Sequence, residues 1–183
     1  MKRSNRRGAE LAREFGASTC TDVTGFGLLG HVVEMCKASS ESSQKSAPMK
    51  VAVNLFLGRL PLLEGAAECV RMGISSSLQP SNFRLRHAIL QPYEDQNNDI
   101  DHLLTQNEHT TMHKFSNQRL QEAYSLLFDP QTSGGLIVAI RDPLSAAKFV
   151  ARLQENGYPD ACVVGEVVEP FLDDSGRYIR LLA

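Results

Sequence analysis

The chain has 183 residues, 42% of them hydrophobic, with 19 basic against 21 acidic side chains and a formal charge of −2. A chain of this size removes roughly two-thirds of its unfolded surface from water, so a single domain with its own core is expected. The charge balance excludes the basic stripe of a nucleic-acid binder, and no apolar run approaches the length of about 18 residues that a helical membrane span needs.

The opening MKRSNRRGAE is basic but lacks the apolar middle of a secretory signal. Lys2, Arg3, Arg6 and Arg7 read as the solvated first turn of a helix that Ser4 caps. That helix should run to Phe15, with Ala9, Ala12 and Phe15 on one side and Gly16 as its stop. From Ala17 to Val23 small and β-branched residues predict a short strand. From Leu28 to Ala38 a broad apolar face of Leu28, Leu29, Val32, Val33, Met35 and Cys36 predicts a helix. Residues 39–48 (SSESSQKSAP) are polar and low in complexity, the composition of a loop.

Met49, Val51, Val53 and Leu55 alternate with less apolar neighbours, the period of a strand. Pro61 is expected to open a helix that reaches Met72 and stops at Gly73. The pattern is weak from Ser75 to Gln91. Residues 92–117 are rich in Asn, Gln, Asp and His and read as a long insertion. A helix from Gln118 to Ser125 follows. From Gly135 to Ile140 a continuous apolar run predicts a strand buried on both faces. Pro143 starts a helix with the stripe Leu144, Ala147, Phe149, Val150 and Leu153, ending at Gly157. Strands are expected from Val163 to Val168, broken by Gly165, and from Tyr178 to Leu182. Strands alternating with helices predict an α/β domain over residues 1–183, with polar insertions at about 39–48 and 92–117.

Cys20, Cys36, Cys69 and Cys162 share no CxxC spacing and sit among small or apolar residues, which suggests reduced core thiols and a cytoplasmic location. His102, His109 and His113 fall in the second insertion and read as solvated. His31 reads as a local packing or hydrogen-bonding group. No GxSxG motif is present, and neither Cys20 nor Cys162 has a neighbouring base, so no nucleophile–base arrangement stands out.

Two stretches carry chemistry. In TDVTGFGLLGH (Thr21–His31) a carboxylate, Asp22, lies where a strand gives way to a glycine-rich turn and then a helix. Helix N-termini with bare glycine backbone favour phosphate, and Gly25 and Gly27 permit positive φ. A carboxylate there would repel phosphate unless a divalent cation lay between them, and Mg²⁺ is held by one or two carboxylates plus phosphate oxygens. The competing reading is that Asp22 or a threonine only caps the helix. In DPQTSGG (Asp129–Gly135), Thr132, Ser133, Gly134 and Gly135 offer hydroxyls and bare backbone to a phosphate, or form a tight turn with an Asx cap. No Gly-Lys-Ser/Thr follows, so this is no Walker loop.

Together, TDVTGFGLLGH and, about a hundred residues on, DPQTSGGL (Asp129–Leu136) closely resemble the selenophosphate synthetase (selenide, water dikinase) family. Ser4-Asn5, LPLLEGA (Leu60–Ala66), Asn82-Phe83 and VVGEVVE (Val163–Glu169) fit in the same order. The likeness spans the chain apart from the two insertions, which are longer and more polar than the family needs. SLQPSNF (Ser77–Phe83) also lacks the glycines associated with that region. The resemblance implies the second of two domains of the aminoimidazole-ribonucleotide-synthetase type: an α/β sandwich of helices on a mixed sheet, with partial ferredoxin-like topology. It implies the reaction of ATP, selenide and water to selenophosphate, AMP and phosphate with Mg²⁺. The catalytic Cys or selenocysteine, its lysine and most metal ligands lie in the other domain.

By the same resemblance Asp22 is a metal ligand. Thr24, Gly25, Gly27, Thr132, Ser133, Gly134 and Gly135 line the cleft, and no catalytic residue lies in this chain. Met1 matches an interior point of the family's chain, so a truncated piece, inactive alone, is expected, with its own N-terminal domain as partner. The family dimerises mainly through that domain, which leaves this chain's oligomeric state open. Two alternatives stay open: a related ATP-using domain, as in aminoimidazole ribonucleotide synthetase or thiamine-monophosphate kinase, and a docking or regulatory module without catalysis. DPQTSGG speaks against the first, and a carboxylate in a glycine turn against the second.

Overall fold

The computed structural model describes residues 4–41, 50–90, 117–171 and 176–183. Helix α1 (Arg6–Glu14) forms where the sequence predicts. The backbone N–H of Arg6 donates to Ser4 Oγ at 3.2 Å. Arg6 pairs with Glu10 at 3.1 Å, and Arg7 with Glu10 and Glu14, each at 3.2 Å. The first two are one-turn pairs and the third spans two turns, all on the exposed face, and Leu11 and Ala12 are buried opposite. Lys2 and Arg3 lie outside the described residues.

Strand β1 (Thr19–Asp22) pairs antiparallel with a later strand, Leu136–Ala139, with Asp22 opposite Leu136 and Thr19 opposite Ala139. Helix α2 (Gly27–Glu41) follows and buries Leu29, Val32, Val33 and Cys36. It runs three residues beyond Ala38, so Ser39, Ser40 and Glu41, expected in a loop, are helical. The two serines bond back one turn, Ser39 Oγ to Met35 O at 2.8 Å and Ser40 Oγ to Cys36 O at 3.0 Å, so their hydroxyls find partners within the helix. The rest of that expected loop lies outside the described residues.

Strand β2 (Ala52–Phe56) forms within the predicted segment, and Val51, Val53 and Leu55 pack on the main core. The predicted alternation does not hold as burial: Ala52 and Asn54, expected to face out, are buried, because the strand lies inside its sheet with a neighbouring strand on each edge. Met49 lies outside the described residues. The expected helix from Pro61 does not form. Only Ala66–Arg71 is helical (α3). The residue before a proline is pushed to extended backbone, as Leu60 is, with ψ 125°. Gly65 then takes φ +81°, which a continuous helix cannot contain. Gly73, with φ +69°, is the stop the sequence predicts. The weakly patterned stretch becomes α4 (Gln79–Asn82), a 3₁₀ turn (Phe83–Ala88) and β3 (Ile89–Leu90).

The expected insertion, with His102, His109 and His113, lies outside the described residues except for Asn117. The Asn117 side chain caps α5 (Gln118–Leu126) by accepting from Arg119 N at 2.9 Å. Strand β4 (Leu136–Ala139) runs between two cores. Ile137 packs on the main one, and Val138 and Ile140 pack on Leu11, Ala12 and Phe149. Its apolar character on both faces is thereby explained, although its residues are half-buried rather than fully enclosed.

Helix α6 (Pro143–Glu155) is capped by Asp142, whose Oδ2 accepts from Ser145 N at 2.6 Å. Phe149 is its buried residue. Leu144, expected in the stripe, is 64% exposed. Five residues from Phe149, it is turned about 140° away around the helix. Strands β5 (Gly165–Val168) and β6 (Ile179–Leu182) complete a four-stranded mixed sheet in the order β3-β6-β2-β5. β6 is parallel to both β2 and β3, and β5 is antiparallel to β2. Gly165 does not break β5 but begins it. A side chain there would meet Asn54 O at 2.5 Å, so the pairing needs a glycine.

The main core joins α2, α5 and this sheet through Leu29, Leu55, Leu57, Leu127, Phe128 and Ile179. The fold is α/β with a mixed sheet. Only Cys36 is a core thiol, its pKa pushed up to about 11 by burial. Cys20, Cys69 and Cys162 are exposed, against the expectation of four core cysteines, because each lies on a surface-facing position of its segment.

Candidate functional site

The two glycine-rich stretches meet. Beyond the end of β1 the pairing continues as irregular backbone: Val23 N donates to Gly135 O at 2.9 Å, Gly134 N to Val23 O at 3.0 Å, and Gln131 N to Thr24 O at 2.9 Å. The DPQTSGG loop is thus hung along TDVTG rather than closing a turn of its own. Asn5, ahead of α1, adds a tie by donating from Nδ2 to Gly134 O at 2.9 Å. A side chain at Gly134 would meet Val23 O at 2.6 Å, so the glycine allows this close approach.

Gly27 serves a similar end. It is buried with φ +68°, and a Cβ there would meet Leu127 O at 2.7 Å and Asp129 O at 3.1 Å. The start of α2 is accordingly closed by protein carbonyls: Gly27 N donates to Thr24 O and Leu29 N to Leu127 O. It does not stand open as the phosphate-binding helix terminus that the sequence suggests. Gly25 also departs from expectation, since it is not among the positive-φ glycines. Nothing lies within 4 Å of where its Cβ would be, nor of Gly135's. These two expose bare backbone for no packing reason.

Asp22 is exposed and paired to β4 by its backbone. Its carboxylate makes no ion pair or side-chain hydrogen bond among the described residues. Its charge, after burial, raises the pKa of Cys20, which shares its face of β1. Thr132 and Ser133 are exposed on the adjoining loop. Asp129, which starts that loop, has a carboxyl pKa raised by burial and partly offset by a hydrogen bond from Ser76 backbone.

His31 is buried and bonded on both sides. Nδ1 lies 3.0 Å from Glu34 Oε2, and Nε2 lies 3.0 Å from both the backbone N and the Oγ1 of Thr24. It is a local hydrogen-bonding group, as expected, and it fixes the turn. Phe26 lies against it, ring centroids 5.7 Å apart, and is 54% exposed at the lip of the site.

Sequence reasoning gave no role to Asn82. It is buried, and its Nδ2 donates to Gly25 O at 2.8 Å and to Phe128 O at 3.0 Å. One amide thereby ties the glycine turn to the approach of the second motif. The signal available was its place in the pair Asn82-Phe83, which fits the family resemblance in order but lies in a weakly patterned segment and carries no indication of a role.

Among the described residues no group of three or more His, Cys, Asp or Glu could hold a metal, and no helix is long and apolar enough to cross a membrane. A metal at Asp22 would need most of its ligands from elsewhere. What the chain offers fits a hard cation in its chemistry: the Asp22 carboxylate, without a partner among the described residues, and the exposed hydroxyls of Thr132 and Ser133 on the adjoining loop, all oxygen donors.

Residues 2–173 match the family described as AIR synthase related protein, C-terminal domain. Among curated proteins, the chain is 30% identical over 171 residues to the selenide, water dikinase of Caldanaerobacter subterraneus subsp. tengcongensis, covering 92% of this chain and 39% of that protein. It is 30% identical over 165 residues to that of Clostridioides difficile, at 90% and 37% coverage. It is 33% identical over 169 residues to that of Trichlorobacter lovleyi, at 92% and 38% coverage. The chain therefore spans under two-fifths of the length of these relatives. A match of this extent, on a fold that joins the two motifs, decides the family: the chain belongs to the AIR synthase related proteins, as their C-terminal domain.

Proposed function

We propose that this domain forms one wall of a selenophosphate synthetase active site, in a protein that uses ATP, selenide and water to make selenophosphate, AMP and phosphate. The observation that carries this reading is the placement of Asp22. Its carboxylate, without a partner among the described residues, stands where the two motifs are stitched together. The names of the relatives support the reaction.

In this reading Asp22 contributes one ligand to Mg²⁺ on the ATP phosphates, and the remaining ligands come from the N-terminal domain. The bound cation neutralises charge on the phosphates. Thr132, Ser133 and the Gly135 backbone face the same opening from the neighbouring loop. Asn82, His31 and Asn5 do not reach the substrate; they hold the two backbone segments in register. No nucleophile or general base is assigned to this chain, so it is inactive by itself.

The test is a ³¹P NMR time course of this chain with ATP, Mg²⁺ and selenide. ATP should stay intact, and selenophosphate and AMP should appear once the N-terminal domain is supplied. Turnover by the chain alone would overturn the division of labour. No turnover after the N-terminal domain is added would overturn the assigned reaction.

A further inference from the structure

The backbone of one residue, Thr24, joins the two motifs to the start of α2. Its carbonyl accepts from Gln131 N, in the second motif, at 2.9 Å and from Gly27 N, the first residue of α2, at 3.1 Å. Its N–H donates to the buried ring of His31, at Nε2, over 3.0 Å. A backbone N–H can only donate, so Nε2 is the acceptor and carries no proton of its own. The proton of the neutral ring is then on Nδ1, where Glu34 Oε2 accepts at 3.0 Å.

Histidine is the side chain that ordinarily changes charge between about pH 5 and 8. A proton added at Nε2 turns the acceptor into a donor, and two donors do not bond each other. Thr24 also holds the alternative partner. Its Oγ1 lies at the same 3.0 Å from Nε2, and a hydroxyl oxygen accepts as well as donates. On the other side of the ring the Glu34 carboxylate serves both states, as acceptor for the neutral form and as counter-ion for the charged one. The ring therefore has partners whether or not it is protonated, while the Thr24 N–H has one only when the ring is neutral. Among the described residues Glu34 is the only ionisable group bonded to or paired with the ring. On the neighbouring elements Asp22, Arg84, Arg86, His87, Glu122 and Asp129 make no hydrogen bond or ion pair with it; Arg86 bonds to Phe83 O, Glu122 pairs with Arg71, and Asp129 takes the Ser76 backbone.

We propose that His31 is a proton-operated latch on the seam between the two motifs. Neutral, it accepts from the Thr24 N–H and fixes the backbone that Gln131 and Gly27 hold from the other side. Protonated, it donates to Thr24 Oγ1 instead, and the N–H is released. Acid loosens the seam and a return to higher pH closes it. The latch is independent of what Asp22 binds.

The experiment takes this chain, labelled with ¹⁵N, from about pH 8 to about pH 5 and reads the imidazole nitrogens and the backbone amides together. At the upper end the His31 ring should carry its proton on Nδ1, with Nε2 bare. On acidification Nε2 should gain a proton. The Thr24 amide should then shift and lose protection, relative to its intrinsic exchange rate at each pH, with the same midpoint, and the Gln131 and Gly27 amides should shift with it. His31→Gln offers the N–H an acceptor that does not titrate, so the Thr24 amide should stop responding to pH. Thr24→Val keeps the N–H and the side-chain shape but removes the acceptor for the charged ring, which should take up its proton only at lower pH. A neutral ring with its proton on Nε2, a Thr24 amide that ignores the titration of His31, or a ring that gains no proton over this range would each overturn the latch. So would an unchanged midpoint in Thr24→Val, which keeps the test decisive if His31→Gln does not fold.

Discussion

Asn82 Nδ2 lies 2.8 Å from the carbonyl oxygen of Gly25, a contact between residues 57 apart in the chain. The same nitrogen reaches Phe128 O, so one buried amide sets the glycine turn against the segment leading into the second motif. Asn82→Ala leaves the buried Phe128 carbonyl without this donor, a loss of about 1–3 kcal/mol, while the Gly25 carbonyl sits on an exposed turn that water can reach. The expected result is a loss of stability on that scale by urea unfolding, with amide shifts concentrated at Gly25–Gly27. Unchanged stability, or shifts spread evenly over the chain, would contradict the tether.

Gly25 and Gly27 look equivalent in sequence but should respond in opposite ways to alanine. Gly27→Ala forces a side chain into φ +68° and against Leu127 O. The left-handed backbone alone costs about 1–2 kcal/mol, and the contact adds to it. Gly25→Ala meets nothing, so its stability should stay within about 0.5 kcal/mol, as at other open surface positions. Paired denaturation curves measure both. Equal effects would mean that Gly27 is not held by packing.

Thiol chemistry checks the corrected cysteine placement. Cys20, Cys69 and Cys162 are exposed and should react with a thiol reagent in the folded protein, while Cys36 reacts only on unfolding. Burial raises the Cys36 pKa to about 11, which leaves little thiolate at neutral pH. Burial also raises Cys20 and Cys162, so neither should behave as an activated nucleophile. Four thiols of equal rate would contradict the fold around α2.

The cap of α6 gives a pH dependence. The hydrogen bond from the Ser145 side chain, then that from its backbone, lowers the Asp142 pKa. A carboxyl with a depressed folded pKa contributes stability that is present above its unfolded value and lost as pH falls through the folded one. The Ser145 amide should therefore shift and lose protection, relative to its intrinsic exchange rate at each pH, on acidification below the usual aspartate range. Asp142→Asn keeps an acceptor and should remove that dependence. A Ser145 amide indifferent to acid would contradict the cap.

Elements with an unambiguous period were legible in the sequence. α1, α2 and α6 follow from apolar spacing plus Gly16 and Pro143. The errors arose where local signals compete. Pro61 looked like a helix opener but instead extended Leu60, and three residues of a serine-rich stretch continued α2, two of them, Ser39 and Ser40, with hydroxyls bonded back to its carbonyls. At the site, the pair of motifs was legible, and so was Asp22 as its candidate acid. The closure of the α2 N-terminus by Leu127 and Asp129 was not, because it depends on contacts about a hundred residues apart. The tie through Asn82 was hidden for the same reason.

The central claim is that Asp22 holds the catalytic cation. It is tested most directly by Asp22→Asn in the full-length protein, with selenophosphate formation followed by ³¹P NMR and the fold checked by the dispersion of its amide spectrum. Loss of a metal ligand should lower turnover by on the order of a hundredfold or more, at least the scale of outer-shell changes, and raise the Mg²⁺ needed, with the fold intact. Wild-type turnover and Mg²⁺ dependence in that variant would contradict the account.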